Sequence, residues 1–374
     1  MRCIEMANMP FSIEEICEQF SLNGTFTGYE QINNGHINNT YNLIFDEEGQ
    51  TKKYVLQKVN TNVFRKPDQL MSNIVAVTSH IHNKNIENNV DCPERRTLVF
   101  LPCLSGKYYY TDKNNNCWRV YIYVNDVYTC NTIDNEEIFF NAGVAFGEFQ
   151  NILADFDGSS LFETIENFHN TVSRFADFKK AVQENLSGRL HNVKEEVEFA
   201  NTREKDTHVL VDLIAEGKLP LRVTHNDTKL NNILFDNKTN KGICIIDLDT
   251  VMPGLSLYDF GDSIRFGANT AAEDEKDVSK VSLDLNLYES YVKGYLSSAK
   301  DALTDLEKEL LPFGAKLMTY ECGIRFLMDY LNGDKYFHTD YDDHNLVRAR
   351  TQFALVADME KKMDEMLEIT KKYC

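Results

Sequence analysis

Apolar and polar residues alternate through much of the first third of the chain. Thr25–Ile32, Thr40–Phe45 and Lys53–Val59 carry this two-residue period and are separated by Asn33-Asn34-Gly35 and Asp46-Glu47-Glu48-Gly49, so they predict strands joined by tight turns. From Asp68 to Lys84 the period changes. Leu70, Ile74, Val77 and Ile81 recur three or four apart, which predicts a helix. Strand patterning returns at Thr97–Pro102, Lys107–Thr111 and Trp118–Val124, with Asp112–Asn116 as a loop. Beyond that the chain turns helical: Ile138, Ala142, Ala145, Phe149, Ile152 and Phe156 step by three and four. Further helices are expected near Phe175–Leu186, Glu204–Glu216, Asn286–Ala299, Glu307–Leu331 and Asn345–Thr370. A short β-like island interrupts them at Leu221–Thr224, Ile233–Phe235 and Ile243–Leu248. The expectation is an α+β protein with a small β-rich N-terminal lobe, residues 1–124, and a larger, mostly helical C-terminal lobe, residues 125–374. A chain of 374 residues is longer than one core usually fills, which agrees with two lobes.

Composition narrows the function. A net charge of −19 without a basic stripe argues against nucleic-acid binding. No apolar run is long enough to span a membrane, and the first twenty residues lack a basic start followed by an apolar stretch. The nine cysteines include no CxxC pair, so reduced thiols in a cytoplasmic protein are expected, without zinc. No HExxH occurs, and His80 and His82, two apart in a predicted helix, point to different sides. An acidic total does not exclude a nucleotide, because Mg²⁺ brings its own charge.

The island concentrates the polar groups. It reads Val223-Thr224-His225-Asn226-Asp227-Thr228-Lys229-Leu230-Asn231-Asn232-Ile233-Leu234-Phe235, followed by Ile245-Ile246-Asp247-Leu248-Asp249 and then Tyr258-Asp259-Phe260-Gly261-Asp262. Phosphoryl transfer needs a group to orient the attacking hydroxyl, oxygen ligands for Mg²⁺ and positive charge near the phosphates. The spacing His-x-Asp-x-x-x-x-Asn supplies the first two: Asp227 can take the hydroxyl proton, and Asn232 can return across the loop to a metal. Asp247, closing an apolar strand, can supply the main metal carboxylate. His225 suits loop support better than acid–base work. Lys229 can offset phosphate charge or simply be solvated. Asp249 falls on the Asp247 face if the strand continues, as a second ligand or a turn carboxylate.

These residues carry a resemblance. The segment resembles the catalytic motif of the aminoglycoside phosphotransferase, choline kinase and homoserine kinase family, and within it most closely the N-acetylhexosamine 1-kinases. The similar runs are Leu221–Leu234, Ile246–Gly254, Asp259–Gly267, Glu321–Leu327, Asn345–Gln352 and Asn34–Asn38, spread over nearly the whole chain. The resemblance implies a protein-kinase-like two-lobe fold, with ATP and Mg²⁺ as partners and the anomeric hydroxyl of an N-acetylhexosamine as acceptor. It implies Asp227 as base and Asn232 with Asp247 as metal ligands. Arg325 and Tyr336 resemble that subgroup's sugar-hydroxyl contacts, and Phe266 and His36 its acetamido-side wall. No nucleic acid, membrane or obligate protein partner is expected.

There is a departure from the wider kinase pattern. A lysine is expected on the third strand, but Lys53-Tyr-Val-Leu-Gln57-Lys58-Val59 places Gln57 there and turns Lys58 to the other face. No GxGxxG occurs. Asn34 and Gly35, in the turn Asn33-Asn34-Gly35-His36, are the candidates to cover the phosphates, with Lys229 as a further nucleotide contact. The alternatives are another acceptor alcohol (an aminoglycoside, choline or homoserine), a nucleotide-binding pseudoenzyme, and a glycosyltransferase reading Asp247-Leu248-Asp249 as a DxD metal site. The last leaves His225–Asn232 without a job.

Overall fold

The alternating segments of the first third build one antiparallel sheet. A computed structural model of the chain describes residues 12–32, 38–133 and 135–374. Two compact units divide between Asp126 and Val127. In the first, a short helix α1 (Ile13–Cys17) precedes β1 (Thr25–Ile32), β2 (Asn39–Glu47) and β3 (Gln50–Val59), then helix α2 (Pro67–Glu87), β4 (Phe100–Leu101), β5 (Tyr110–Thr111) and β6 (Cys117–Ile122). The sheet order is β1-β2-β3-β6-β4, with β5 also pairing to β6. Register decides the faces. Tyr41 lies opposite Leu56 and Leu43 opposite Tyr54, while Leu56 lies opposite Val120. These side chains share one face and close over Ile13, Ile16 and Cys17 of α1, with Trp118 at the centre. The other face carries Gln57 opposite Arg119. Arg119 reaches the Met71 sulfur of α2 at 3.9 Å, so α2 covers that side. A strand covered on both faces reads as a continuous apolar run, as Tyr54-Val55-Leu56 does.

The second unit is mostly helical. Its elements are β7 (Val127–Tyr128), α3 (Glu136–Ile152), α4 (Thr171–Glu184), α5 (Lys194–Asn201), α6 (Asp206–Ala215), β8 (Arg222–Thr224), β9 (Ile233–Asp236), β10 (Gly242–Ile245), β11 (Met252–Gly254), α7 (Ser256–Gly267), α8 (Leu285–Ala299), α9 (Asp305–Asn332), α10 (His344–Lys361) and α11 (Met363–Tyr373). β9 lies between β10 and β7, and β8 pairs with β11. Close helix crossings hold this unit together. A Cβ on Gly294 of α8 would stand 2.2 Å from the Phe140 carbonyl of α3, and one on Gly261 of α7 would stand 2.5 Å from the Gly314 carbonyl of α9. Glycine is required at both because the backbones touch. α9 opens with a reciprocal Thr304–Glu307 cap. Glu307 also takes the Arg222 guanidinium of β8 at 2.6 and 2.7 Å, which ties the start of α9 to the island.

The structure departs from the sequence reading in several places, among them the following. The single helix expected over Asn345–Thr370 is two, α10 and α11. Lys362 between them has φ −98° and ψ 6°, and its ammonium is anchored by Asp358, Ser282 and the Leu283 carbonyl. The strand expected over Ile243–Leu248 stops at Ile245, because Asp247 adopts a left-handed backbone with φ +58°. Asp249 therefore does not share a strand face with Asp247; it is buried in the single 3₁₀ turn Leu248–Thr250. The island also contains an unexpected helix, α7, in which every residue except Phe266 is buried.

Candidate active site

The catalytic-loop candidate runs from the end of β8 to the start of β9, and buried carboxylates of α7 set its shape. Asp259 accepts from the His225 amide at 2.9 Å through Oδ2 and from the Asn226 amide at 2.8 Å through Oδ1. Gln150 of α3 donates to the same Oδ2 at 3.0 Å. One turn on, Asp262 accepts the Thr228 amide at 3.0 Å. Its other oxygen holds Arg265 at 2.9 and 2.8 Å. Backbone amides that no strand or helix satisfies are thereby paired. Burial raises the Asp259 carboxyl above its usual range despite His225 and the two amides. Burial acts the same way on Asp262, but Arg265 and Lys229 outweigh it and hold that carboxyl low.

His225 is fully buried and braces the loop from inside. Its Nδ1 lies 3.2 Å from the Asp227 amide, so it accepts there. Nε2, 2.8 Å from the Ile246 carbonyl, then carries the proton and donates. Both ring nitrogens are thus engaged with backbone, which agrees with loop support. The edges of Phe146 and Phe149 pack around the ring.

The Asp227 amide is held by His225, and its carboxylate is held by other partners. Asn232 Nδ2 donates to the Asp227 carbonyl at 2.8 Å and to its Oδ2 at 3.2 Å. Lys229 Nζ lies 3.0 Å from Oδ1, and this carboxylate holds the ammonium above the ordinary lysine range. Lys229 therefore sits on Asp227 rather than apart from it. The Ile246 amide donates to the Asn232 carbonyl at 2.9 Å, which brings Asp247 beside Asn232. The donor chemistry suits Mg²⁺. Because Asn232 spends its NH₂ on Asp227, its Oδ1 is left as an oxygen ligand, and the exposed Asp247 supplies a carboxylate. A cation that keeps several waters and shares substrate phosphates needs only one or two such groups.

Towards α9 the site becomes guanidinium-rich. Arg325 has 16% of its side-chain surface open and lies 5.4 Å from the Phe168 ring, 5.9 Å from Tyr336 and 5.6 Å from Phe337. Its ion-pair partner is Glu321, at 3.9 Å. Glu321 is buried and lies 2.9 Å from Nδ1 of His169. Burial acts to raise its carboxyl; His169, Arg325 and Arg174 reverse that and hold it low. Tyr336 itself is 66% exposed, its amide held by Asp329 at 2.9 Å. Phe266 is half-buried on the last turn of α7, next to Arg265. A cavity of about 310 Å³ adjoins the loop, lined by Asn226, Met252, Tyr258, Phe168, His169 and α6 residues.

The structure thus brings Asp227, Lys229, Asn232 and Asp247 together, and separately Arg325 with Tyr336. Asn34, Gly35 and His36 lie outside the described residues. Gln57 accepts from Arg119 Nε at 2.9 Å and Nη2 at 2.8 Å, so a cation stands across from it on β6. Sequence reasoning assigned no role to Asp259, Asp262, His169, Arg174 or Glu321. The signal for the first two was there: acids one turn apart in an element with no solvent face.

The chain belongs to the phosphotransferase enzyme family (APH), whose model matches residues 28–296. Solved structures with the same fold include an aminoglycoside phosphotransferase from Alicyclobacillus acidocaldarius, with 10% identity, a TM-score of 0.59, and coverage of 100% of this chain and 99% of that one. Choline kinase from Cryptosporidium parvum matches with 12% identity and a TM-score of 0.54 over 96% and 97% of the two chains. The GDP complex of aminoglycoside 2′-phosphotransferase-IIIa matches with 13% identity and a TM-score of 0.54 over 88% and 93%. The fold is that of the protein-kinase-like small-molecule phosphotransferases.

Proposed function

We propose that this protein transfers the γ-phosphate of ATP to the anomeric hydroxyl of an N-acetylhexosamine. One observation carries the choice of acceptor. Arg325 is caged by three aromatic rings, and among the described residues none of its N–H groups donates a hydrogen bond to protein. Guanidinium N–H groups are donors only, so they call for ligand oxygens, such as hydroxyls and an amide carbonyl. The resemblance of Arg325, Tyr336, Phe266 and His36 to the sugar contacts of one subgroup supports the same reading. A nucleotide donor is supported by the GDP held by one structural relative.

In this reading the acceptor hydroxyl donates to Asp227, which Asn232 and Lys229 hold in place. The anomeric oxygen forms its bond to the γ-phosphorus as the bond from that phosphorus to the β–γ bridging oxygen breaks, and ADP leaves. Asp227 takes the hydroxyl proton late. Mg²⁺, for which Asn232 and Asp247 are the fitting ligands, would spread the charge developing on the phosphates. General-base help of this kind is worth roughly 10²–10⁴-fold. Positioning and electrostatics supply the larger share.

The test is ADP release from Mg-ATP across GlcNAc, GalNAc, glucose, galactose, choline, homoserine and kanamycin. Turnover on the two N-acetylhexosamines, with a phosphate at position 1 of the product, is the expected result. Turnover confined to choline, homoserine or kanamycin would replace the acceptor assignment, and silence on all seven would replace the enzymatic one.

A further inference from the structure

The acceptor side of the unit carries a second guanidinium that the reading above does not use. Arg174 of α4 donates from Nε to the Phe168 carbonyl at 3.0 Å and lies 5.9 Å from the Phe168 ring. Arg325 faces the same ring at 5.4 Å, so the two cations flank Phe168. Among the described residues, no hydrogen bond or ion pair engages the terminal nitrogens of Arg174. Glu321 is the buried acid that acts on both, and its Oε1 lies 2.9 Å from His169 Nδ1 and 3.9 Å from Arg325. Its Oε2 and His169 Nε2 are buried and unpaired. The remaining charges facing Arg174 are the exposed Asp177 on its own helix and Arg325 across the ring, with Tyr336 nearby. Arg265, which acts on Arg325 from α7, is already paired with Asp262 and Glu273. Burial and Arg325 together outweigh the acids and lower the Arg174 guanidinium from its ordinary range.

We infer that Arg174 and Arg325 together select the acceptor by rejecting cations: the site takes alcohols rich in neutral or anionic oxygen and excludes those bearing a protonated amine. This inference rests on the proposed acceptor side. A protonated amine offers donors to groups that are themselves only donors, and it adds like charge where two guanidiniums already repel. Hydroxyl, carbonyl or carboxylate oxygens satisfy both guanidiniums at once. Arg174 thus acts as a specificity determinant. The N-acetyl group of an aminosugar matters because it removes the positive charge as well as because of its shape.

The experiment compares GlcNAc with glucosamine, which differ at one nitrogen, by kcat/KM across pH. Glucosamine is cationic at about pH 6.5 and largely neutral at about pH 9, since such an amine titrates near the α-amino range of about 8. In the wild type the preference for GlcNAc should fall about tenfold or more between those pH values, mainly through KM. In Arg174→Gln the preference at the lower pH should fall by a similar factor and its pH dependence flatten, while Arg174→Lys keeps both. A purely structural arginine would alter both sugars together and leave the ratio's pH profile in place. A ratio indifferent to pH and to Arg174→Gln, with GlcNAc turned over, would overturn the inference and leave the phosphoryl-transfer reading intact. Efficient turnover of choline or kanamycin by the wild type would overturn the inference, and without turnover of the N-acetyl sugars it would overturn the acceptor assignment as well, leaving phosphoryl transfer in place. Use of glucose or galactose without the N-acetyl sugars would sink only the N-acetylhexosamine assignment and support exclusion of cations.

Discussion

Asp259 touches no substrate in the proposed reaction, yet two consecutive amides of the candidate catalytic loop and the Gln150 side chain end on its carboxylate. Removing its charge weakens three hydrogen bonds to one buried group, each of the charge-assisted kind. Asp259→Asn is expected to cost about 2–3 kcal/mol of stability. It should also lower turnover more than it weakens nucleotide binding, because the loop carrying Asp227 loses its anchor. Urea denaturation beside steady-state kinetics checks both; an unchanged midpoint with unchanged kcat would show that the loop holds its shape without Asp259. Lys229 illustrates a different point. Placed 3.0 Å from the Asp227 carboxylate, it shares the electrostatics of the proposed base, and a change at either residue acts on both.

Elements differ in how openly they announce themselves. β1 was readable to the residue from its alternation and the turn that follows it, and α2 and α3 from their apolar steps. α7 was not. A helix buried on nearly all sides has no polar face to give it a period, and here its core is broken by Asp259, Gly261 and Asp262. β11, Met252-Pro253-Gly254, has neither the length nor the composition of a strand and exists because β8 pairs with it. The metal and base candidates were legible because their spacing is local. The Arg174–Phe168–Arg325 arrangement was not, because it joins α4 to α9 across more than a hundred residues. The same invisibility applies to the α7–α9 crossing. Gly261→Ala would drive a methyl into the Gly314 carbonyl and the Met318 side chain, at 2.5 and 2.6 Å. Backbone cannot yield there as a side chain would, so a loss of about 1–3 kcal/mol is expected. A thermal or urea midpoint equal to that of the wild type would show that α7 and α9 part without cost.

Across the whole molecule the net charge is −19, yet Lys229, Arg265 and Arg325 stand paired with acids around the candidate site. Acid response follows from the buried carboxylates. Glu307, held low mainly by its Arg222 and Thr304 hydrogen bonds against the opposing effect of burial, is one such group. Asp262, Glu321 and Asp358 are others, each also held low by its partners despite burial. A folded-state value below the unfolded one means stability that is complete above the unfolded range and lost as pH falls through the folded value. Asp259 works in the opposite sense, since its raised carboxyl favours protonation in the folded state. The others outnumber it. Stability should therefore be level above about pH 5 and fall below about pH 4. Denaturation midpoints across pH check this, and Glu307→Gln should shallow the decline; an equal slope in that variant would remove Glu307 from the account.

The central claim is that Asp227, presented by a loop anchored on α7, receives the acceptor proton during phosphoryl transfer. The most direct measurement is ADP release by Asp227→Asn with Mg-ATP and GlcNAc, alongside nucleotide-induced thermal stabilisation of the same variant. The account predicts a turnover loss of roughly 10²-fold or more with the stabilisation by Mg-ATP largely retained. Turnover within a few-fold of the wild type would contradict it.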